Sequence, residues 1–224
     1  MSPAFVILSL PVFLFSIVVH ESAHGVAALV NGDRTAKDAG RITLNPLPHI
    51  DLFGSIIVPF FFLLAQGFQP TVLIGWAKPV PVNPYNFRKG NRSELEVSLA
   101  GPFSNLALAF VFALASRFLP AWDRGAEPLL ALKWMMLYGM HINCLLAVFN
   151  LIPIPPLDGS HVLAALLPPN AAFYYRRISG YGMWILIGVL MFAPLRTILL
   201  SVPVTLLERF FMLVAGPYLT MWTM

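Results

Sequence analysis

Six stretches of this 224-residue chain come close to the roughly 20 consecutive apolar residues that a helix needs to cross a bilayer. They run Pro3 to Val30, Leu52 to Ile74, Leu95 to Leu119, Leu129 to Ile152, Ile178 to Phe192 and Ile198 to Ala215, and the second is interrupted by Pro59, Gly67 and Pro70. With 58% of its residues hydrophobic and 11% charged, the chain has too little polar surface to cover a soluble globule, so its class is integral membrane. Lipid offers no hydrogen bonds to backbone, which confines such segments to helices or closed barrels. The expected fold is an all-α, multi-pass membrane bundle of about five to six transmembrane helices. Leu52 to Ile74 would form a re-entrant or hairpin segment, and there is room for a short β element at Arg41 to Leu44 after the first helix.

The first stretch lacks a basic n-region and a small-residue cleavage site, which argues against a removable signal peptide. No repeat, low-complexity run or long linker divides the chain, so residues 1–224 read as a single membrane domain, with a core over 4–165 and a C-terminal helical hairpin over 178–216. Cys144 is the only cysteine, which excludes an internal disulfide and any thiolate metal cluster. The formal charge of +4 is modest and gives no reason to expect a nucleic-acid partner.

Basic loops favour the cytoplasmic side of a membrane. Arg34, Lys37 and Arg41 lie in the loop after the first apolar stretch, and Lys78, Arg88, Lys89 and Arg92 lie in a Pro- and Asn-rich loop over 77–92. Placing both inside makes the first helix run inward, Leu95 to Leu119 outward and Leu129 to Ile152 inward, with the last two helices returning the C-terminus to the cytoplasm.

Polar groups break the greasiness of the first stretch in one place. His20-Glu21-Ser22-Ala23-His24 is an H-E-x-x-H pentapeptide, and on a helix its histidines fall at i and i+4, one turn apart on one face. That separation lets two imidazoles hold one zinc ion, with Glu21 beside them to act on water. Ionisable groups in a spanning helix are costly and functional by default. A catalytic zinc needs a third protein ligand and an open position. His49, Asp51, His141, Asp158 and His161 are the candidates. Asp158 is favoured on depth, because Pro153, Pro155 and Pro156 end an inward-running helix and can return Asp158-Gly159 to the level of His20 and His24. Glu208 and Arg209, near the end of the last helix, read as headgroup-level charges.

The chain resembles the site-2 protease family of intramembrane zinc metalloproteases in His20 to His24 and in the stretches "NPLPHIDLFGSIIVP", "GWAKPVPVNP", "SLAGPFSN" and "FNLIPIPPLDG". The resemblance implies a three-helix core and a hydrolase of peptide bonds in or near transmembrane segments. By resemblance, His20, His24 and Asp158 are ligands of one catalytic zinc and Glu21 is the general base. Asn150 and Asn105 would bind substrate backbone or the oxyanion. It also implies membrane-protein substrates, a lipid-bilayer setting, and a prokaryotic plasma membrane with the site towards the cytoplasm. An extended substrate could pair with a strand edge in the 41–50 region. The stretches lack a PDZ or nucleotide-sensing domain that other members carry. Two rival readings are a zinc transporter and a catalytically silent metal-binding scaffold. Candidate ligands gathered at one depth, without repeated halves, argue against the first, and the intact Glu21 argues against the second.

Overall fold

The computed structural model describes residues 3–57, 60–61, 64, 77–119 and 127–216. Most of the expected re-entrant segment lies outside those residues; its start is a π-helical turn over Leu52–Ile57, and Phe60, Phe61 and Leu64 are helical. The helices are α1 (Pro3–Val30), α2 (Thr35–Asp38), α3 (Asn91–Arg117), α4 (Glu127–Leu151), α5 (Asp158–Leu166), α6 (Pro169–Arg177), α7 (Gly182–Met191), α8 (Ala193–Arg196) and α9 (Val202–Ala215). Four stretches are long and apolar enough to cross a membrane: Leu8–Val30, Asn91–Arg117, Leu129–Leu151 and the continuous run Ala193–Ala215. The chain is therefore an all-helical integral membrane protein among the described residues.

Polar contacts fix how these helices run. Asn143 of α4 meets Ser16 of α1, Asn105 of α3 meets both Asn143 and His20, and Val97 of α3 meets His24. Residue numbers rise along α1 as they fall along α3, so these two are antiparallel, and α4 runs with α1. Apolar packing adds to this frame. Ala109 and Ala113 of α3 and Met140, Cys144 and Val148 of α4 form a buried cluster with Val204, Phe211 and Ala215 of α9. Small residues at these crossings allow close helix approach, which in lipid supplies the dispersion energy that the hydrophobic effect cannot. Large side chains such as Phe103, Val111, Ile198 and Leu213 point outward, as a lipid-facing surface requires.

The C-terminal region differs from the expected pair of crossing helices. Glu208 of α9 pairs with His141 of α4, and Arg117 Nη1 at the end of α3 donates to Val214 O, so α9 runs beside α3 and in its direction. The stretch before it gives only the ten-residue α7, about 15 Å long and half a bilayer core. It packs Leu186 onto Ile152 and Leu157, the two ends of the turn between α4 and α5. Glu208, expected as a headgroup-level charge, is paired with His141 of α4.

The loop after α1 contains no strand. Thr43 O accepts from both Ser22 Oγ (2.9 Å) and His49 Nε2 (3.1 Å), and Arg41 N–H is taken by Ala36 O. These bonds curl the 41–49 segment onto α1. Helix α1 itself ends in a Schellman arrangement, with Asp33 N–H on Ala28 O and Gly32 N–H on Leu29 O. The fully buried Asp33 carboxylate then accepts from Thr35 N–H, Thr35 Oγ, Asn83 N–H and Asn86 Nδ2, tying the 83–86 turn to the end of α1.

Burial would raise the Asp33 pKa, but these four hydrogen bonds outweigh it and hold the carboxyl below its ordinary value. Protonation therefore favours the unfolded chain, and the stability from ionised Asp33 is complete above about pH 4 and lost as pH falls through the lower folded value. Replacing Asp33 with Asn turns one acceptor oxygen into a donor facing other donors, at a cost of about 1–3 kcal/mol. Melting of purified protein should show Asp33→Asn below wild type at pH 7, with the gap closing below pH 4.

Candidate metal centre

Three side chains from two elements meet at the inner end of the bundle. His20 and His24 project from one face of α1, and His24 lies six residues before the end of that helix. Asp158 is the first residue of α5, delivered by the Ile152 to Leu157 turn that follows α4. His20 Nε2 and His24 Nε2 are 3.1 Å apart, and each is 3.2 Å from Asp158 Oδ2. All three residues are largely buried, and they form the one group of three or more His, Cys, Asp or Glu ligand atoms within 4.8 Å of one another among the described residues.

The hydrogen bonds behind the cluster determine what its inner atoms can do. Asn143 Nδ2 donates to Gly139 O at 2.8 Å, and a carbonyl can only accept, so the other end of that amide, Oδ1, is the acceptor. Asn105 Nδ2 donates to it at 2.7 Å, which leaves Asn105 Oδ1 to accept from His20 Nδ1 at 2.6 Å. His24 Nδ1 donates to Val97 O at 2.8 Å. Both imidazoles therefore carry their proton on Nδ1, and in the neutral rings both Nε2 atoms present bare lone pairs to each other. Asp158 Oδ2 is buried with no hydrogen-bond partner. A carboxyl group is ordinarily ionised at neutral pH, so Asp158 brings an anionic oxygen to the two nitrogens.

Three electron pairs thus converge in a covered site with no hydrogen between them. A cation at their centre resolves that conflict. Donors on a tetrahedral shell of radius ~2.0–2.1 Å stand about 3.3 Å apart, and two nitrogens with one carboxylate oxygen are a zinc donor set that leaves a fourth position open. The observed spacings of 3.1–3.2 Å fit. Glu21, beside His20 on the helix, accepts the Val80 N–H at 2.8 Å through Oε2. The 77–83 segment carrying Val80 is extended and held in turn by Arg41 Nη2 on Lys78 O and by Lys78 N–H on His49 O.

The remaining candidates are elsewhere engaged. His49 Nε2 bonds Thr43 O, Asp51 Oδ1 caps the turn at Gly54 N–H, His141 pairs with Glu208 and His161 faces Glu94. Asn105 spends both ends of its amide inside the protein, which makes it a positioning group for His20. Asn150 Nδ2 donates to Leu146 O one turn back. Asn143 went unread in the sequence although it is fully buried in a spanning helix, and the cost of an amide there was the signal that could have found it.

A family profile, described as Peptidase family M50, matches residues 126–193, the part of the chain that contains Asp158. A Bacillus subtilis (strain 168) protein named "Putative zinc metalloprotease YwhC" is 38% identical over 190 residues, covering 81% of this chain and 78% of that protein. The chain belongs to peptidase family M50, the site-2 protease family. "Putative zinc metalloprotease Rip2" of Mycobacterium tuberculosis (strain ATCC 25618 / H37Rv) is 32% identical over 159 residues, 70% of this chain and 56% of that one. A Methanocaldococcus jannaschii protein, "Putative zinc metalloprotease MJ0611", is 44% identical over 68 residues, 30% and 32% of the two chains. No solved structure matches the chain. Membership in M50 supports a metalloprotease, and the names of these relatives imply zinc.

Gly101 of α3 lines this centre. A Cβ added there would stand 2.7 Å from His20 Nε2 and closer still to His24 Nε2. Gly101→Ala should therefore lower the zinc bound per chain several-fold while far-UV circular dichroism stays that of wild type. Full zinc occupancy in that variant would show that the imidazoles are not confined as described.

Proposed function

We propose that this M50 protein is an intramembrane zinc endopeptidase that hydrolyses peptide bonds in or near the transmembrane segments of membrane-protein substrates. In this reading His20 Nε2, His24 Nε2 and Asp158 Oδ2 hold the metal. The single observation that carries it is the convergence of those three unprotonated donors at 3.1–3.2 Å, with both Nδ1 atoms already committed elsewhere. When bound, zinc supplies a Lewis acid that polarises a carbonyl and brings the pKa of water from ~16 towards ~7.

The protein's own groups handle position and protons. Glu21 is the general base. The Val80 N–H fixes its Oε2, so Oε1 takes the proton from water and returns it to the nitrogen of the departing amine. Asn105, through Asn143 and Ser16, locks the ring of His20. Asn150 is assigned the contact to substrate backbone or oxyanion, which requires its Nδ2 to exchange Leu146 O for the substrate. The substrate segment must be extended where it is cut, because a helical peptide group keeps its carbonyl hydrogen-bonded.

Orientation follows from charge. Arg34, Lys37, Arg88, Lys89 and Arg92 flank the metal end of α1 and α3, and Arg176 and Arg177 end α6 beside it. The positive-inside tendency puts that end at the cytoplasmic face, and His24 and His20 lie about 9 and 15 Å from the end of α1, so water comes to the centre from that side. The whole chain acts as one membrane domain, with the four long helices as its spans. The transporter and silent-scaffold readings find no support in the M50 relatives.

Purified Glu21→Gln should keep its zinc and lose proteolysis of a model transmembrane substrate by about 10²–10⁴-fold, the usual contribution of a general base. Proteolysis at the wild-type rate by metal-replete Glu21→Gln would refute the assignment.

A further inference from the structure

We infer that Glu94, His161 and Arg176 form a latch that sets α5 against α3 and thereby presents Asp158 to the two imidazoles; the inference rests on the reading of Asp158 as a metal ligand. Helix α5 has nine residues, too few to be stable alone, and it follows a turn containing three prolines. Contacts to its neighbours must place its first residue. One of them is steric: a Cβ on Gly159 would lie 2.6 Å from Ile152 O and nearer to Leu151 O, so the helix start is pressed against the end of α4. That contact fixes a pivot but not a rotation.

The rotation is set one turn further along. His161, three residues after Asp158 and so on the same face, has Nδ1 3.6 Å from Glu94 Oε1. Arg176 of α6 donates Nη2 to the same carboxylate, at 3.1 Å to Oε1 and 2.9 Å to Oε2. Helix α6 also reaches back to the proline turn through Tyr175 OH, which donates to Pro153 O at 2.9 Å. One carboxylate on α3 therefore gathers α5 and α6, and α6 braces the turn that precedes Asp158.

The placement of Glu94 ties this latch to the metal centre. Glu94, Val97, Gly101 and Asn105 fall at i, i+3, i+7 and i+11 along one stripe of α3. The last three serve the centre directly: Val97 O orients His24, Gly101 leaves space for both rings, and Asn105 orients His20. Glu94 continues the stripe by one turn and meets α5 at His161, as the centre meets α5 at Asp158. Two points on α3 thus engage two points on α5, which sets both translation and rotation. An exposed ion pair would do little of this by charge alone; the Glu94 side chain is only 12% exposed while Arg176 is 54% and His161 59% exposed, so the latch acts through the bonds that Arg176 Nη2 makes to both carboxylate oxygens. Glu94 is a positioning residue, since it acts on the metal through Asp158.

The test is zinc affinity, measured by chelator competition on the full chain in detergent, with circular dichroism as a check on folding. Wild type, Asp158→Ala, Glu94→Gln, Arg176→Ala and the Glu94→Gln/Arg176→Ala double variant are compared. Glu94→Gln and Arg176→Ala should each weaken zinc binding by roughly tenfold, the effect typical of groups that hold a ligand in place. Because both act through one contact, the double variant should bind no more weakly than the worse single variant. Wild-type affinity in both single variants, or losses that multiply in the double one, would overturn the latch while leaving the metal assignment intact. If Asp158→Ala binds zinc as tightly as wild type does, or wild type binds none, the metal assignment falls and the latch with it.

Discussion

Two imidazole nitrogens and one carboxylate oxygen face one another across little more than 3 Å inside a bundle whose outside is built for lipid. With no proton between them, their lone pairs repel, and the low dielectric of the surroundings magnifies that repulsion and removes the water that would relieve it. A divalent cation converts the same geometry from a liability into a binding site. Everything nearby holds the three groups in that relation: the amide chain from Gly139 O through Asn143 and Asn105 to His20, the Val97 carbonyl on His24, and the missing side chain at Gly101.

This requirement explains features that composition alone leaves odd. A membrane bundle gains little by burying Ser16, Asn105 and Asn143, all inaccessible between α1, α3 and α4, unless their hydrogen bonds are needed. Here they form one continuous path, and each donor and acceptor has a single allowed sense once the backbone carbonyl at Gly139 is fixed. The tautomer of His20 is thereby decided some distance from the three facing donor atoms. The apolar packing of α9 on α3 and α4 is a separate matter, with its own internal pair in His141 and Glu208, and it does not touch the centre.

Much of the site was legible in the sequence for local reasons. The i, i+4 spacing of His20 and His24 needs nothing beyond helix periodicity, and the prolines after Leu151 announce that the chain turns back before Asp158. The crossing helices α1, α3 and α4 were equally plain, since length and hydropathy decide them. What escaped the sequence depended on pairing between distant elements. The strand expected at 41–44 had the right residues, but Ser22 and His49 together occupy the Thr43 carbonyl, and a strand needs a partner. The stretch 178–192 has the hydropathy of a span, yet α7 finds Ile152 and Leu157 to pack against and stays short. Glu208 read as a surface charge because its partner, His141, lies 67 positions away in the chain. Asn105 was read as substrate-facing by resemblance, whereas its two amide ends are both taken by neighbours.

The central claim, that His20, His24 and Asp158 share one zinc ion, is tested most directly by zinc K-edge X-ray absorption on the purified wild-type protein and on Asp158→Ala. The expected spectrum shows a shell of nitrogen and oxygen only, at about 2.0–2.1 Å, with the outer-shell scattering of two imidazoles, and the Asp158→Ala protein should lose an oxygen from that shell or lose the metal. A sulfur shell, a single imidazole, or a spectrum indifferent to the loss of Asp158 would contradict it.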